Sequence, residues 1–382
     1  MTCCPATNRL RPLSHLPRPL EAIRQFTPNW FAVTMGTGVL ALALAQWPGN
    51  IPGLRAVGEG LWLFNIVLFV LFSGLYAARW VLFFDEARRI FGHSTVSMFF
   101  GTIPMGLATI INGVLVFGLP RWGDAVVSLA EALWWGDVAM SLACGVLIPF
   151  LMFTRQEHRI DQMTAVWLLP VVAAEVAAAS GGLLAPHLTD VHSQLVMLVT
   201  SYVLWAFSLP VAFSILTILL LRMALHKLPH ENMAASSWLA LGPIGTGALG
   251  MLVLGSDAPI IFAANGLPGV GEIAAGLGLV AGVTLWGFGF WWMLMALLIT
   301  ARYLREGIPF NLGWWGFTFP LGVYALTTLK LASLLGLGFF TLFGCLLVAM
   351  LVVLWLIVGW RTVAGAWHGE LFVSPCIAGL AK

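Results

Sequence analysis

Apolar residues run along this chain in ten long stretches, broken by short segments rich in charge, proline and glycine. The stretches fall at 28–46, 60–84, 96–119, 126–153, 163–185, 193–222, 236–256, 270–301, 312–335 and 337–360. A hydrocarbon core of ~30 Å takes roughly 20 residues of helix, so each stretch predicts one membrane-spanning helix. The runs are continuously apolar and lack the alternation that strands of an outer-membrane barrel would show. Short connections predict that consecutive helices form antiparallel hairpins. The pattern predicts an all-α integral membrane protein. It has one domain, 28–360, with tails 1–27 and 361–382.

Composition sharpens this reading. The 382 residues are 60% hydrophobic and 9% charged, with a mean hydropathy of +0.95. Soluble domains are ~25% charged, so a cytosolic enzyme and a disordered scaffold are excluded. A net charge of +2 gives no field to hold a nucleic acid. Five cysteines, at 3, 4, 144, 345 and 376, suggest neither a disulfide framework nor a metal site, with acylation at Cys3 and Cys4 as a minor reading. The first 27 residues carry four arginines and no apolar run, as a cytoplasmic tail does and a cleavable signal does not. With the N-terminus inside, 15 of the 18 Lys and Arg residues fall on the cytoplasmic side. The positive-inside rule and an even number of spans therefore agree that both termini are cytoplasmic.

The odd-numbered spans hide a repeat. VTMGTGVLAL (33–42), TIPMGLATII (102–111), WLLPVVAAEV (167–176), LGPIGTGALG (241–250) and TFPLGVYALT (318–327) align without gaps. Pro104, Pro170, Pro243 and Pro320 share one column. Gly36, Gly106, Gly245 and Gly322 share another, with residue 172 in the same column of the third window. That column recurs at spacings of 70, 66, 73 and 77, which predicts one hairpin copied five times. Five hairpins close most simply into a pseudo-fivefold ring. Prolines at mid-span predict bends whose freed backbone groups belong inside protein or beside water. The expectation is an inner ring of odd helices around an axis, with the tryptophan-bearing even helices outside.

GTIPMGLATIIN (101–112), LWWGD (133–137), LGPIGTGALG and GWWGFTFPLG (313–322) resemble the tellurite-resistance/dicarboxylate transporter family. That family includes TehA, the plant slow anion channel, the fungal malic acid transporter and the fungal sulfite efflux pump. The resemblance spans about residues 26–365, and the blocks are most similar to the sulfite-efflux branch. It implies a homotrimer with one pore per subunit, lying in the plasma or bacterial inner membrane and passing small anions. It also implies that an aromatic ring on the ninth span plugs the pore, and the matching residue is Phe319. Sulfite efflux is the leading expectation; proton-linked C4-dicarboxylate (malate) transport is the alternative.

The candidate site residues follow from the repeat and the resemblance. Phe319 is the gate, and Thr34, Gly36, Thr37, Gly38, Pro104, Gly106, Thr109, Pro170, Glu175, Pro243, Gly245, Thr246, Pro320 and Gly322 are the pore-lining or bending positions. A carboxyl at mid-membrane is costly, so Glu175 is either a proton-linked site or a hydrogen-bonded joint between helices. Asp137 in LWWGD reads as a packing hydrogen bond. Lys330, three turns above Phe319, can draw anions to the outer mouth or snorkel to the interface. Threonine hydroxyls and backbone dipoles are expected to select anions, since no ring of cations is present. HKLPH (226–230) and HLTDVH (187–192) fall on opposite sides of the membrane, so no metal or other cofactor is expected. GxSxG and P-loop motifs are absent from the sequence, and no catalytic role is expected.

Overall fold

A computed structural model describes residues 12–378. Cys3, Cys4, Arg9, Arg11 and Lys382, on which part of the tail reading rests, lie outside the described residues. Among the described residues ten helices are long and apolar enough to cross a membrane. They are α1 (Pro28–Ala45), α2 (Leu54–Leu82), α3 (Val96–Trp122), α4 (Ala125–Thr154), α5 (Ala165–His187), α6 (Val191–His226), α7 (Glu231–Ala264), α8 (Pro268–Glu306), α9 (Leu312–Leu335) and α10 (Gly338–His368). All ten expected spans are present. The even helices outrun their apolar stretches at several ends, because charged positions such as Arg55, Glu59, Arg302 and Arg305 sit on helical turns that an apolar-run reading cuts off.

Burial divides the ten into two sets. In the odd helices 61–94% of the most apolar window is buried inside the protein, against 17–33% in the even ones. Each odd helix packs on the even helix that follows it, and the odd helices touch in the order α1, α3, α5, α7, α9 and back to α1. The even helices present the lipid-facing surface, with Val67, Phe153, Ile273 and Trp360 among their exposed apolar side chains.

The odd helices are also built differently. Each begins with a short tight-wound segment, such as Val96–Gly101 or Leu312–Phe317, before its α-helix starts. The α-helical parts are 12 to 24 residues long, whereas the even helices run 29 to 39. This corrects the expectation of proline bends at mid-helix. Pro104, Pro170, Pro243 and Pro320 stand at the second or third residue of α-helices beginning at Thr102, Leu169, Leu241 and Thr318. A first-turn N–H lacks a partner in its own helix, so proline there gives up little and fixes a helical φ. In α3, α5 and α9 proline stands just past a junction between tight and regular winding, whereas in α7 a short α-helix, Ser236–Leu239, precedes the helix that carries Pro243.

The glycine column sets how closely the odd helices approach. A Cβ on Gly36 would lie 2.2 Å from Thr318 Oγ1, one on Gly106 2.4 Å from Thr34 Oγ1, and one on Gly322 2.5 Å from Val39 Cγ1. Each of these contacts joins neighbouring odd helices. The α3 helix widens into a π-turn over Val114–Gly118, and Arg55 Nη2 donates to the Val116 carbonyl at 2.6 Å there.

Both terminal segments fold onto the end where the odd helices begin. Arg24 donates through two nitrogens to the Glu86 carboxylate at 2.7 Å each, which holds that carboxyl below its usual range. Buried Arg79 donates to the Phe26 carbonyl and, at 3.1 Å, to Ser374 Oγ, while Ser374 N–H donates to Gln25 Oε1 at 2.8 Å.

Candidate functional site: two cavities and the apolar layer between them

All five odd helices contribute to each of two cavities at opposite ends of the bundle. The near cavity, on the side of the chain termini, has a volume of about 260 Å³. Met35, Thr102, Leu169, Leu239 and Phe319 each bring one odd helix to its wall. The far cavity, about 350 Å³, is lined by Leu42, Asn112, Leu183, Leu249 and Leu326, with Gln46, Lys330 and Ser333 as further polar groups.

Helical spacing connects the two. On α9, Phe319 lines the near cavity and Leu326 and Lys330 the far one. Val323, about one turn beyond Phe319, falls on the same stripe between them. On α1, Met35 and Leu42 bracket Val39 in the same way. Val39 and Val323 are buried in one continuous core with Met105, Val172 and Phe319. The cavities are thus separated by a buried apolar layer that includes Val39, Val323 and Phe319, with Phe319 at its near face. Phe319 stacks on no other ring among the described residues. Phe317, two positions earlier, packs edge-on against Trp238 and Trp314 at 6.0 and 5.7 Å.

The sequence-predicted residues divide by the face they occupy. Phe319, Pro320 and Lys330 line a cavity. Thr246 lies on the α7 stripe that continues to Leu249 and Val253, and its hydroxyl donates to Gly242 O at 2.8 Å. Thr34 and Thr37 do not face the stripe. Thr34 donates to Phe31 O at 2.7 Å beside Gly106, and Thr37 accepts from Trp355 Nε1 of the outer helix α10 at 3.1 Å. Thr109 donates to Gly106 O at 2.8 Å and accepts from Asn65 Nδ2 of α2 at 3.2 Å, against Gly38. Gly245 abuts the Tyr324 backbone. Thr34, Thr109 and Thr246 each donate the hydroxyl proton within their own helix.

Glu175 is also turned away. It stands six residues past Leu169, about 240° round the helix from that cavity-lining residue. It is fully buried against α6, where Ser208 Oγ lies 3.2 Å from Oε2 and also donates to Val171 O at 2.8 Å. Asp137 and Ser141, one turn apart on α4, are equally buried and have no hydrogen-bond partner among the described residues. No group of three or more His, Cys, Asp or Glu residues that could hold a metal occurs among the described residues.

Apart from Lys330, sequence reasoning missed the polar groups that stand out in the two cavities, Asn112 and Ser236 among them. Asn112 stands inside the quoted block GTIPMGLATIIN, on the same helix as Thr102, yet a single amide in an apolar run gave no sign of its face. Ser236, in the near wall, lies in α7 ahead of the regular helix that begins at Leu241 and outside the repeat window.

A bundle whose five odd helices bound two axial cavities with an apolar layer between them suits a passage for small solutes. The voltage-dependent anion channel family matches residues 25–363. The chain belongs to that family. It is 37% identical over 353 residues to a sulfite efflux pump of Arthroderma benhamiae, covering 92% of this chain and 93% of that protein. It is 28% identical over 360 residues to an uncharacterized transporter of Methanocaldococcus jannaschii, covering 92% and 97%. It is 24% identical over 351 residues to a malic acid transport protein of Schizosaccharomyces pombe, covering 88% and 77%. Membership of this family makes the chain a multi-pass membrane protein of anion transport.

Proposed function

We propose that the five odd helices enclose a pore for small anions, shut in this structure by the layer that Phe319 begins, and that sulfite efflux is its physiological use. The observation that carries the reading is the pair of cavities, each touched by all five odd helices and divided by an apolar plug. An unsolvated constriction of this kind blocks ions by dewetting, and rotation of one ring opens it. Lys330 and Asn112 at the far cavity supply a cation and an amide donor without a tight binding cage. Such a weak site favours passage over retention. The sulfite assignment draws on the 37% identity to the sulfite efflux pump across nearly the whole of both chains.

The near cavity is assigned to the cytoplasm from the lysine and arginine count, which places both termini inside. The plasma or bacterial inner membrane and a homotrimeric assembly come from the family resemblance. The exposed apolar faces of the even helices supply surface for both lipid and neighbouring copies.

A second reading, C4-dicarboxylate transport, has its support in the malic acid transport relative. Flux into proteoliposomes of sulfite, malate, nitrate and chloride, compared side by side, decides between them. The first reading requires sulfite to pass several-fold faster than malate. The reverse order replaces it with the second, and no flux of any anion defeats both.

A further inference from the structure

Leu249 and Val253 trace a stripe along α7 into the far cavity, and the next turn of that stripe carries Asp257. On α5 the same step beyond Leu183 leads to His187. On α9 the step beyond Leu326 leads to Lys330, which lines the cavity itself. Asp257 is half-buried and lies within electrostatic reach of both Lys330 and His187. A carboxylate and a lysine thus share the mouth of an anion path, with a histidine beside them.

Neither charge is spent on a neighbouring helix. Among the described residues Asp257 and Lys330 form no ion pair, with each other or with any third residue. Other polar and charged groups at this end are committed: Arg121 pairs with Glu59, Arg55 donates to the Val116 carbonyl at 2.6 Å, and Asp190 accepts from Ser193 N–H at 2.8 Å. A half-buried carboxylate is costly to keep, and one that served only to neutralise Lys330 would touch it. Held apart, both charges act on whatever passes between them. Their effect on an ion scales with the charge that the ion carries.

We propose that Asp257 is a charge filter of the outer mouth, a carboxylate that offsets the Lys330 field and lowers the occupancy of the far cavity by anions, divalent ones most. The inference rests on the pore reading above, with the far cavity outside. One fixed charge works on both directions of a single step: an anion in the far cavity leaves faster, and a returning one enters more slowly. The equilibrium, which the gradient sets, is untouched. Lys330 without this offset would retain the cargo at the point of release, whereas conduction needs a site weak enough to leave.

The test uses the full-length chain in spheroplasts of an expressing bacterium, so that only the outer face meets the bath. In a background with the native cysteines replaced, Ser333→Cys in the far-cavity wall reports the local field. The readout is its rate of modification by an anionic and by a cationic methanethiosulfonate, both membrane-impermeant. Asp257→Asn should speed the anionic reagent about threefold and slow the cationic one as much, changing their ratio about tenfold. Asp257→Glu keeps the charge and should keep the ratio. In uptake by cells without the reporter cysteine, Asp257→Asn should lower the half-saturating external concentration about threefold for nitrate and about tenfold for the sulfite dianion. Should Asp257→Asn fail to fold, Asp257→Ser takes its place.

An unchanged reagent ratio in Asp257→Asn overturns the proposal. So does Asp257→Glu behaving like Asp257→Asn, or an equal shift for nitrate and sulfite, since either would make shape rather than charge the cause. Ser333→Cys that no reagent reaches from outside overturns the placement of the far cavity and the filter with it. A changed ratio without uptake of any anion defeats the pore reading alone, and uptake with an unchanged ratio defeats the filter alone.

Discussion

At the scale of single residues, two side chains separate passage from packing. Phe319 stacks on no other ring among the described residues, and its loss leaves Pro320 and the winding junction intact. Phe319→Ala should therefore raise anion uptake into proteoliposomes several-fold at matched protein density, with Phe319→Leu between it and the wild type. A fully packed core phenylalanine costs ~3–5 kcal/mol on truncation, and Phe317, wedged between Trp238 and Trp314, should behave that way. Phe317→Ala should lose stability without gaining flux; equal uptake in Phe319→Ala and wild type would move the gate elsewhere. Glu175 makes the opposite case. Facing α6 rather than the axis, it should tolerate Glu175→Gln with an unchanged pH profile of flux, since the amide keeps an acceptor for Ser208. A pH dependence abolished by this change would return Glu175 to the transport cycle. Phe319 and Glu175 were both legible as unusual residues, but only the three-dimensional neighbours separate them. Periodicity places a residue at a depth along a helix, whereas the face it turns to the axis depends on how the helix rotates in the bundle.

At the scale of helices, the repeat was readable and its cause was not. The recurring Pro and Gly columns marked the five buried helices correctly, because small and rigid residues recur where helices meet. Their mechanism differs from a mid-helix bend: proline begins the regular helix and glycine admits the neighbour. Gly322→Val would drive a branched side chain into Val39, 2.5 Å from the position of its first added carbon. Overpacking of this kind typically costs ~1–3 kcal/mol. The melting temperature of Gly322→Val should fall by several degrees, and Val39→Ala should recover part of the loss. A fall that Val39→Ala leaves unchanged would place the contact elsewhere. The terminal segment offers a pH-dependent case. Arg24 lowers the Glu86 carboxyl from its ordinary value, so the pair stabilises fully above the unfolded pKa of ~4.3 and is lost as pH falls through the lower folded value. Glu86→Gln should reduce stability by about 1 kcal/mol at pH 7 and have little effect at the acid end of that window.

At the scale of the whole molecule, the ten spans follow from hydropathy, and their division into buried and lipid-facing sets from the Pro and Gly columns. The axial plug follows from neither, because its valines and methionine are of the same residue types that fill every helix contact. The plug makes a claim about access that the two cavities allow to be tested. In a background with the native cysteines replaced, Met35→Cys in the near cavity and Asn112→Cys in the far one report from opposite sides of the layer. A membrane-impermeant thiol reagent should modify Met35→Cys only from the cytoplasmic face and Asn112→Cys only from the outer face. Removing the Phe319 ring in either background should let the reagent or a competing anion act across the layer, so that sulfite supplied on the far side slows modification of Met35→Cys. Single-sided labelling that persists unchanged with Phe319→Ala would show that Val39 and Val323 hold the seal by themselves. Labelling of both positions from the same face in the otherwise unaltered chain would mean that the two cavities are one continuous vestibule and that no plug exists.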